Sequence, residues 1–333
     1  MDLEDFFERA LEQFHGACAD GGVSRGVKVA GLSFQVRAPH TEMLGPVVRA
    51  LAHLPEAPRP DFTVHAWDDA GSGTRMPPPP WGPNRVFTNR GELMDPDPRY
   101  HTAYNLGADL LTMLEPRTGR AIYWTRDSRR LPAYERTAPM RALIHWMTVG
   151  KGLQLAHAAA LGHSSGGVLM VGKGGSGKST SALACLRSGL GYVADDYCLV
   201  DGDRAWSLYS SGRLLPSSLG FIKNLRWETP DDPKVALYLH EQCPEHLLPS
   251  FPVKAVLLPR VTGEETVRLS PTSTRRGVTA LSLSTMAQLP GAGPESFAVL
   301  SGLVEKVPCY DMLLGPNIGD LAGTISRLLA ELS

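Results

Sequence analysis

Eight consecutive residues, Gly172-Lys173-Gly174-Gly175-Ser176-Gly177-Lys178-Ser179, fit the pattern G-x-x-x-x-G-K-[ST] in full. The chemistry served by that spacing is the holding of a polyphosphate. Glycines let successive backbone N–H groups turn inward as a nest for anions, and a following helix adds its positive end. Lys178 would carry a compact charge to the β- and γ-phosphates, and the Ser179 hydroxyl would bind Mg2+. Such an octet arises by chance in roughly one chain in a hundred of this length, so its surroundings decide. Val168-Leu169-Met170-Val171 reads as a buried strand, Ser181 to Leu186 as a continuing helix, and Gly189 as its cap. The order strand, nest, helix is the one that phosphate binding needs. ATP and Mg2+ are therefore the expected cofactors, held by Gly172, Gly174, Gly175, Ser176, Gly177, Lys178, Ser179 and Thr180.

Two carboxylates follow. Asp195 and Asp196 end the apolar run Tyr192-Val193-Ala194, 17 residues after Lys178. An acid so early must come from the strand directly after the loop's helix. Neighbours in a strand point to opposite faces, so one should meet the γ-phosphate and substrate, the other the metal or a supporting cation. An exposed acidic turn is the plain alternative. His157 adds a third group. A hairpin of Leu153–Leu161 with Gly167–Gly172 pairs Leu161 with Gly167 and sets His157 opposite Val171, at the mouth of the loop. A one-residue slip would turn it away, and a lone histidine in an apolar strand also serves as a satisfied core residue. Arg275 and Arg276, in Ser273-Thr274-Arg275-Arg276-Gly277, offer either a phosphate clamp or a solvated basic turn.

The elements that must position these groups divide near residue 150. The stretch Gly71–Pro83, GSGTRMPPPPWGP, reads as a stiff loop, since four successive prolines enter neither a helix nor a central strand. Around it the pattern predicts a helix over 2–15, a strand over 27–36, a helix over 40–54 and a strand over 62–67. A hairpin joins 108–115 to 120–125, and a helix runs from Thr137 to Gly150 with Pro139 in its first turn. Beyond 150 come strands at 153–161 and 167–172, a helix over 177–188, and a strand over 192–200. Asp201-Gly202-Asp203 turns back through 204–209. A strand at 253–260 and helices at 295–306 and 320–332 complete the count. Residues 214–250 show no period, and 210–250 are a candidate acceptor groove or lid.

The chain has 333 residues, 43% of them apolar and 20% charged, which suffices for a core in each of two domains. Lys and Arg total 33 against 34 acids, giving a formal charge of −1, so nothing argues for nucleic acid or an anionic membrane as partner. No run approaches the ~20 apolar residues of a membrane span. The acidic, amphipathic start is unlike a secretion signal. Five scattered cysteines without a CxxC argue against a disulfide framework or zinc cage. A cytoplasmic protein is expected.

His157-Ala-Ala-Ala-Leu, GVLMVGKGGSGKS, Ser188-Gly189 and Val193-Ala194-Asp195-Asp196 together resemble the catalytic domain of HPr kinase/phosphorylase. The likeness is greatest to its divergent relatives in peptide-modification systems, such as lasso-peptide kinases. It covers about residues 153–201, and continues more weakly through Lys254–Pro259 and Val307–Leu313. The resemblance implies an α/β fold: a P-loop kinase core of the HPr kinase/phosphoenolpyruvate-carboxykinase type with a mixed sheet over 151–333, behind an N-terminal α+β domain over 1–150. It implies transfer of the ATP γ-phosphoryl group to a serine hydroxyl of a peptide or protein, such as a modified-peptide precursor. It makes Asp195 the base, Asp196 its metal-side partner with Ser179, His157 a polar support, and a homo-oligomer the expected assembly. Departures from the family point away from HPr as acceptor. Thr180 replaces an acid, Ser211–Pro216 stands where Glu-x-Arg-Gly-x-Gly is expected, and residues 1–150 lack the family's N-terminal domain. The residues alone leave open a non-enzymatic ATP sensor or a metabolite kinase.

Overall fold

The computed structural model describes residues 2–332 apart from 83–86, 95–96, 187, 222–224, 229–232 and 263–264. Pro83 at the end of the proline-rich stretch, Arg187 in the predicted 177–188 helix and parts of the 214–250 segment thus lie outside the described residues. The chain divides into two compact units, Met1–Thr148 with Leu289–Gly291, and Val149–Gln288 with Ala292–Ser333.

The first unit opens on α1 (Leu3–Ala17), where the Asp2 carboxylate accepts the Asp5 N–H at 2.9 Å and so caps the first turn. Next come β1 (Val23–Val29), β2 (Leu32–Ala38), α2 (Thr41–Val48), β3 (Phe62–Asp68) and α3 (Asp69–Ser72). Then follow β4 (His101–Asn105), β5 (Leu110–Glu115), β6 (Arg120–Thr125), α4 (Ala133–Thr137) and α5 (Arg141–Thr148). The strands form one mixed sheet in the order β1-β2-β3-β6-β5-β4. The α1 stripe Phe6, Phe7, Ala10, Leu11 and Phe14 lies on Trp67, Met113 and Ile122. The hairpin predicted at residues 116–119 joins β5 to β6. The single strand expected over 27–36 is instead a hairpin, because Ala30 (φ 50°) and Gly31 (φ 79°) make a two-residue left-handed turn. The helix expected from Thr137 begins only at Arg141, after Met140 at φ 58°. The helix expected over 40–54 ends at Val48, and Arg49–Leu51 continue as a tighter turn. Pro77–Pro80 lie in neither helix nor strand.

The second unit holds β7 (Gln154–Ala156), β8 (Ala158–His163), β9 (Gly166–Val171), α6 (Lys178–Ala184) and β10 (Gly191–Ala194). After these run β11 (Cys198–Asp201), β12 (Arg204–Trp206), β13 (Ser211–Leu214), β14 (Val235–Tyr238) and β15 (Ser250–Val261). The chain closes through β16 (Arg268–Thr272), α7 (Thr274–Met286), α8 (Pro294–Val304), β17 (Cys309–Leu314) and α9 (Leu321–Glu331). The main sheet runs β10-β8-β9-β15-β12-β11-β7, with β17 beside β15 and β16 beside β17. β9 and β17 are parallel to β15, while β8, β10, β11 and β12 enter antiparallel pairs, so the sheet is mixed and the fold α/β. β7 and β8 stand far apart in this order, yet only His157 separates them in the chain. The sheet therefore curls, and one segment turns the corner at that residue.

Both faces are covered. Leu183 of α6 and Ile325 and Leu328 of α9 pack with Leu161, Met170 and Leu257. Leu281, Leu300 and Leu303 from α7 and α8 pack with Ala158, Leu169 and Val256. Each such fully buried leucine contributes about 2 kcal/mol of transfer free energy. No helix among the described residues is long and apolar enough to cross a membrane.

Several expectations for this unit need correction. The hairpin pairs Gly162 with Gly167 and Ala158 with Val171, one residue away from the predicted register, because the turn is Ser164-Ser165 rather than 162–166. The loop's helix stops at Ala184 with Cys185 as its cap residue. The return strand of the Asp201–Asp203 turn ends at Trp206 rather than 209. Residues 214–250, which show no period in the sequence, contain β14, paired with β13 under α6. Ser273–Gly277 is no isolated turn: it enters α7, 13 residues long, whose Gly277 leaves no space for a Cβ (Cys309 Sγ would lie 2.6 Å away).

Candidate active site

Between β9 and α6 the glycine loop has Gly172, Gly175 and Gly177 at φ 139°, 78° and 103°, the region that side chains other than glycine resist. Gly177 is constrained twice, since a Cβ there would meet Leu314 Cδ1 at 2.5 Å. Its carbonyl accepts the Ser181 N–H at 2.9 Å and starts the helix. Lys178, in the first turn, is buried, and its Nζ donates to the carbonyls of Gly172 (2.6 Å) and Lys173 (3.3 Å). The loop thus curls around its own lysine. Burial pulls the Lys178 pKa down, and the nearby Asp196 and Asp195 charges oppose that.

β10 delivers the acids. Its pairing with β8 is irregular between Tyr192 and Ala194, and the chain bends at Asp195 and Asp196. Asp195 is 2% exposed. Its Oδ2 accepts the Arg213 N–H at 3.1 Å, while its buried Oδ1 has no hydrogen-bond partner among the described residues. Burial, helped by the Asp196 charge, pushes the Asp195 pKa up to about 6; the Ser179 hydroxyl, the Arg213 N–H and the Lys234 charge hold it from rising further. The Ser179 hydroxyl thus lies close enough to Asp195 to favour its ionised form.

Asp196 turns to His157, whose Nε2 lies 3.2 Å from its Oδ1. The tautomer follows from the neighbours. Gln288 accepts the Tyr197 hydroxyl on Oε1 at 2.7 Å and donates from Nε2 to the Ser284 carbonyl at 2.8 Å, which orients its amide. The same Nε2 donates to His157 Nδ1 at 2.9 Å. Nδ1 is therefore bare, and the proton sits on Nε2, donated to Asp196. The His157 N–H is also fixed, donating to Thr285 Oγ1 at 2.9 Å.

The predicted groups Lys178, Ser179, Asp195, Asp196 and His157 are thus connected by contact or charge at one place. Arg276 is engaged elsewhere, donating to Asp311 Oδ2 at 2.5 Å and to Thr272 at 2.9 Å. Arg275 lies on the wall of a cleft of about 790 Å³ that starts at His157, Gly172, Lys173 and Gly174. Gln288, Tyr197, Lys234 and the Arg213 N–H were not foreseen. Tyr197 alone had a signal, as an aromatic directly after the paired acids.

Among the described residues no three His, Cys, Asp or Glu side chains cluster as a metal cage. Mg2+ does not need one, because it takes most of its ligands from phosphates and water. The Ser179 hydroxyl and the half-exposed Asp196 carboxylate are hard oxygen donors of the kind it accepts, so the residues fit the ion. Compared with protein-family models and with curated proteins, the chain gives no match.

Proposed function

We propose that this chain is an ATP-dependent kinase related to HPr kinase, with a P-loop core over 151–333, which moves the γ-phosphoryl group to the serine hydroxyl of a peptide or protein. The observation that carries the reading is the Asp195 carboxylate, buried beside Ser179 with one oxygen unpartnered and a pKa near 6. A base is most effective when its pKa lies near the working pH, and a buried orphan oxygen calls for a donor. The acceptor hydroxyl is such a donor.

In this reading the loop N–H groups and Lys178 hold the triphosphate and fix the γ-phosphorus in line with the acceptor. Ser179 and Asp196 would hold Mg2+, which when bound would offset the charge of the phosphate oxygens. Asp195 takes the hydroxyl proton as the oxygen bonds to phosphorus. His157, held by Gln288 and Thr285, engages Asp196 through Nε2, which leaves Asp195 as the carboxylate with an unpartnered oxygen. Residues 1–150 would serve acceptor recognition or self-assembly.

The test is intact-mass analysis of serine-bearing peptides incubated with MgATP and the full chain, with Lys178→Ala as blank. A gain of one phosphate that Lys178→Ala and Asp195→Asn both abolish supports the proposal. ATP bound without transfer to peptide, metabolite or water removes it in favour of a sensor.

A further inference from the structure

The cleft beside the loop carries the inference furthest. Its inner end is formed by His157, Gly172, Lys173 and Gly174 and its far wall by α7, with Leu258 of β15. The Lys178 ammonium touches the carbonyls of Gly172 and Lys173, the same residues that form this end. In loops of this pattern the lysine head marks the β- and γ-phosphates. The cleft therefore abuts the terminal phosphate, where an acceptor must enter, and its volume of about 790 Å³ suits a short peptide segment rather than a single hydroxyl.

Its wall has two characters. Ala280, Leu283 and Leu258 make an apolar strip, with Leu283 68% exposed. Lys173 and Arg275 bring two exposed cations, and neither has an acidic partner among the described residues. Arg276, the third cation of the wall, is already neutralised by Asp311. Two unmatched positive charges next to an apolar strip complement a ligand with a carboxylate and an apolar side chain.

We infer that this cleft is the acceptor site, and that it selects a serine with a carboxylate close by in the peptide, either an Asp or Glu side chain or a C-terminal carboxylate, held by Lys173 and Arg275. The inference rests on the kinase reading and adds the substrate class to it. It also gives Arg275 a role distinct from a phosphate clamp.

The test is phosphorylation of a positional-scanning serine peptide library by the full chain with MgATP, in free-acid and C-terminally amidated forms. The expected result is a preference of about fivefold in kcat/KM for an acid near the serine, the scale of a partly exposed ion pair. Arg275→Glu should reverse that preference toward Lys or Arg while leaving KM for ATP unmoved. Loss of the preference on amidation assigns the carboxylate to the C-terminus; its persistence assigns it to a side chain. Phosphorylation without acid preference overturns the inference and leaves the kinase reading intact, as does an unchanged preference in Arg275→Glu with a raised KM for ATP. No label on any peptide, with ATP still bound, overturns the kinase reading and this inference with it.

Discussion

Asp195→Asn should make the protein more stable while destroying its activity. The folded-state pKa of Asp195 is about 6 against an ordinary 3.8, with burial the first cause and Asp196 the second. Between those values the folded chain keeps a proton that the unfolded chain has lost, so stability falls as pH rises through this window and the loss is complete above it. The rise corresponds to about 3 kcal/mol at pH 8, and only about 0.5 kcal/mol at pH 4. Asparagine is neutral at every pH and still offers an oxygen to the Arg213 N–H, so it escapes the penalty. For a unit of this size each kcal/mol moves Tm by about 2–4 °C, so the variant should melt roughly 6–12 °C higher at pH 8. Differential scanning calorimetry from pH 4 to 8 measures it, following the transition that ATP shifts upward. An Asn variant that melts at or below the native chain at pH 8, or gains equally at pH 4 and pH 8, would refute the claim that a charge is held there at a cost.

The same pKa sets the pH–rate profile: kcat/KM should climb with pH, level off above about 6, and lose that limb in no variant that keeps Asp195 and its burial. Gly177→Ala forces a Cβ to 2.5 Å from Leu314 at φ 103° and should abolish ATP binding measured by calorimetry, as should Lys178→Ala. Gln288→Leu removes the donor that keeps His157 Nδ1 bare; it should cut kcat by about tenfold, with ATP affinity retained and the histidine's ring nitrogen NMR shifts altered. Chelation of Mg2+ should stop phosphate transfer, restored by adding the ion back.

What could be read from the sequence was what the chain places in succession. The loop, the strand before it and the acids after the next strand all lie within residues 166–196, and their order is itself the chemistry. The hairpin was legible, but its register was not. Gly162 and Gly166 look like turn residues and are in fact paired, with Gly167 and His163 respectively, leaving Ser164-Ser165 to turn. α7 escaped notice because its threonines, serines and Gly277 are weak helix formers. With it went Gln288, whose bond to His157 spans 131 positions and has no local trace. Nor could adjacency in sequence say which acid would be buried, since that depends on the bend after β10 and on the backbone of Arg213.

Where β7 hands over to β8 at His157, the last strand of the order runs straight into the second, so the chain itself links the two ends of the run β8-β9-β15-β12-β11-β7. Within that run of six strands neither partner of the His157 corner can slip alone. A residue inserted or lost on either side of position 157 would shift the seam to β11 and the seam to β9 against each other, and no rearrangement of one alone could absorb it. Length changes should therefore be excluded from 154–163 across relatives of this chain and gather instead in the turns, making the spacing between the histidine and the glycine loop a fixed ruler by which such relatives could be found.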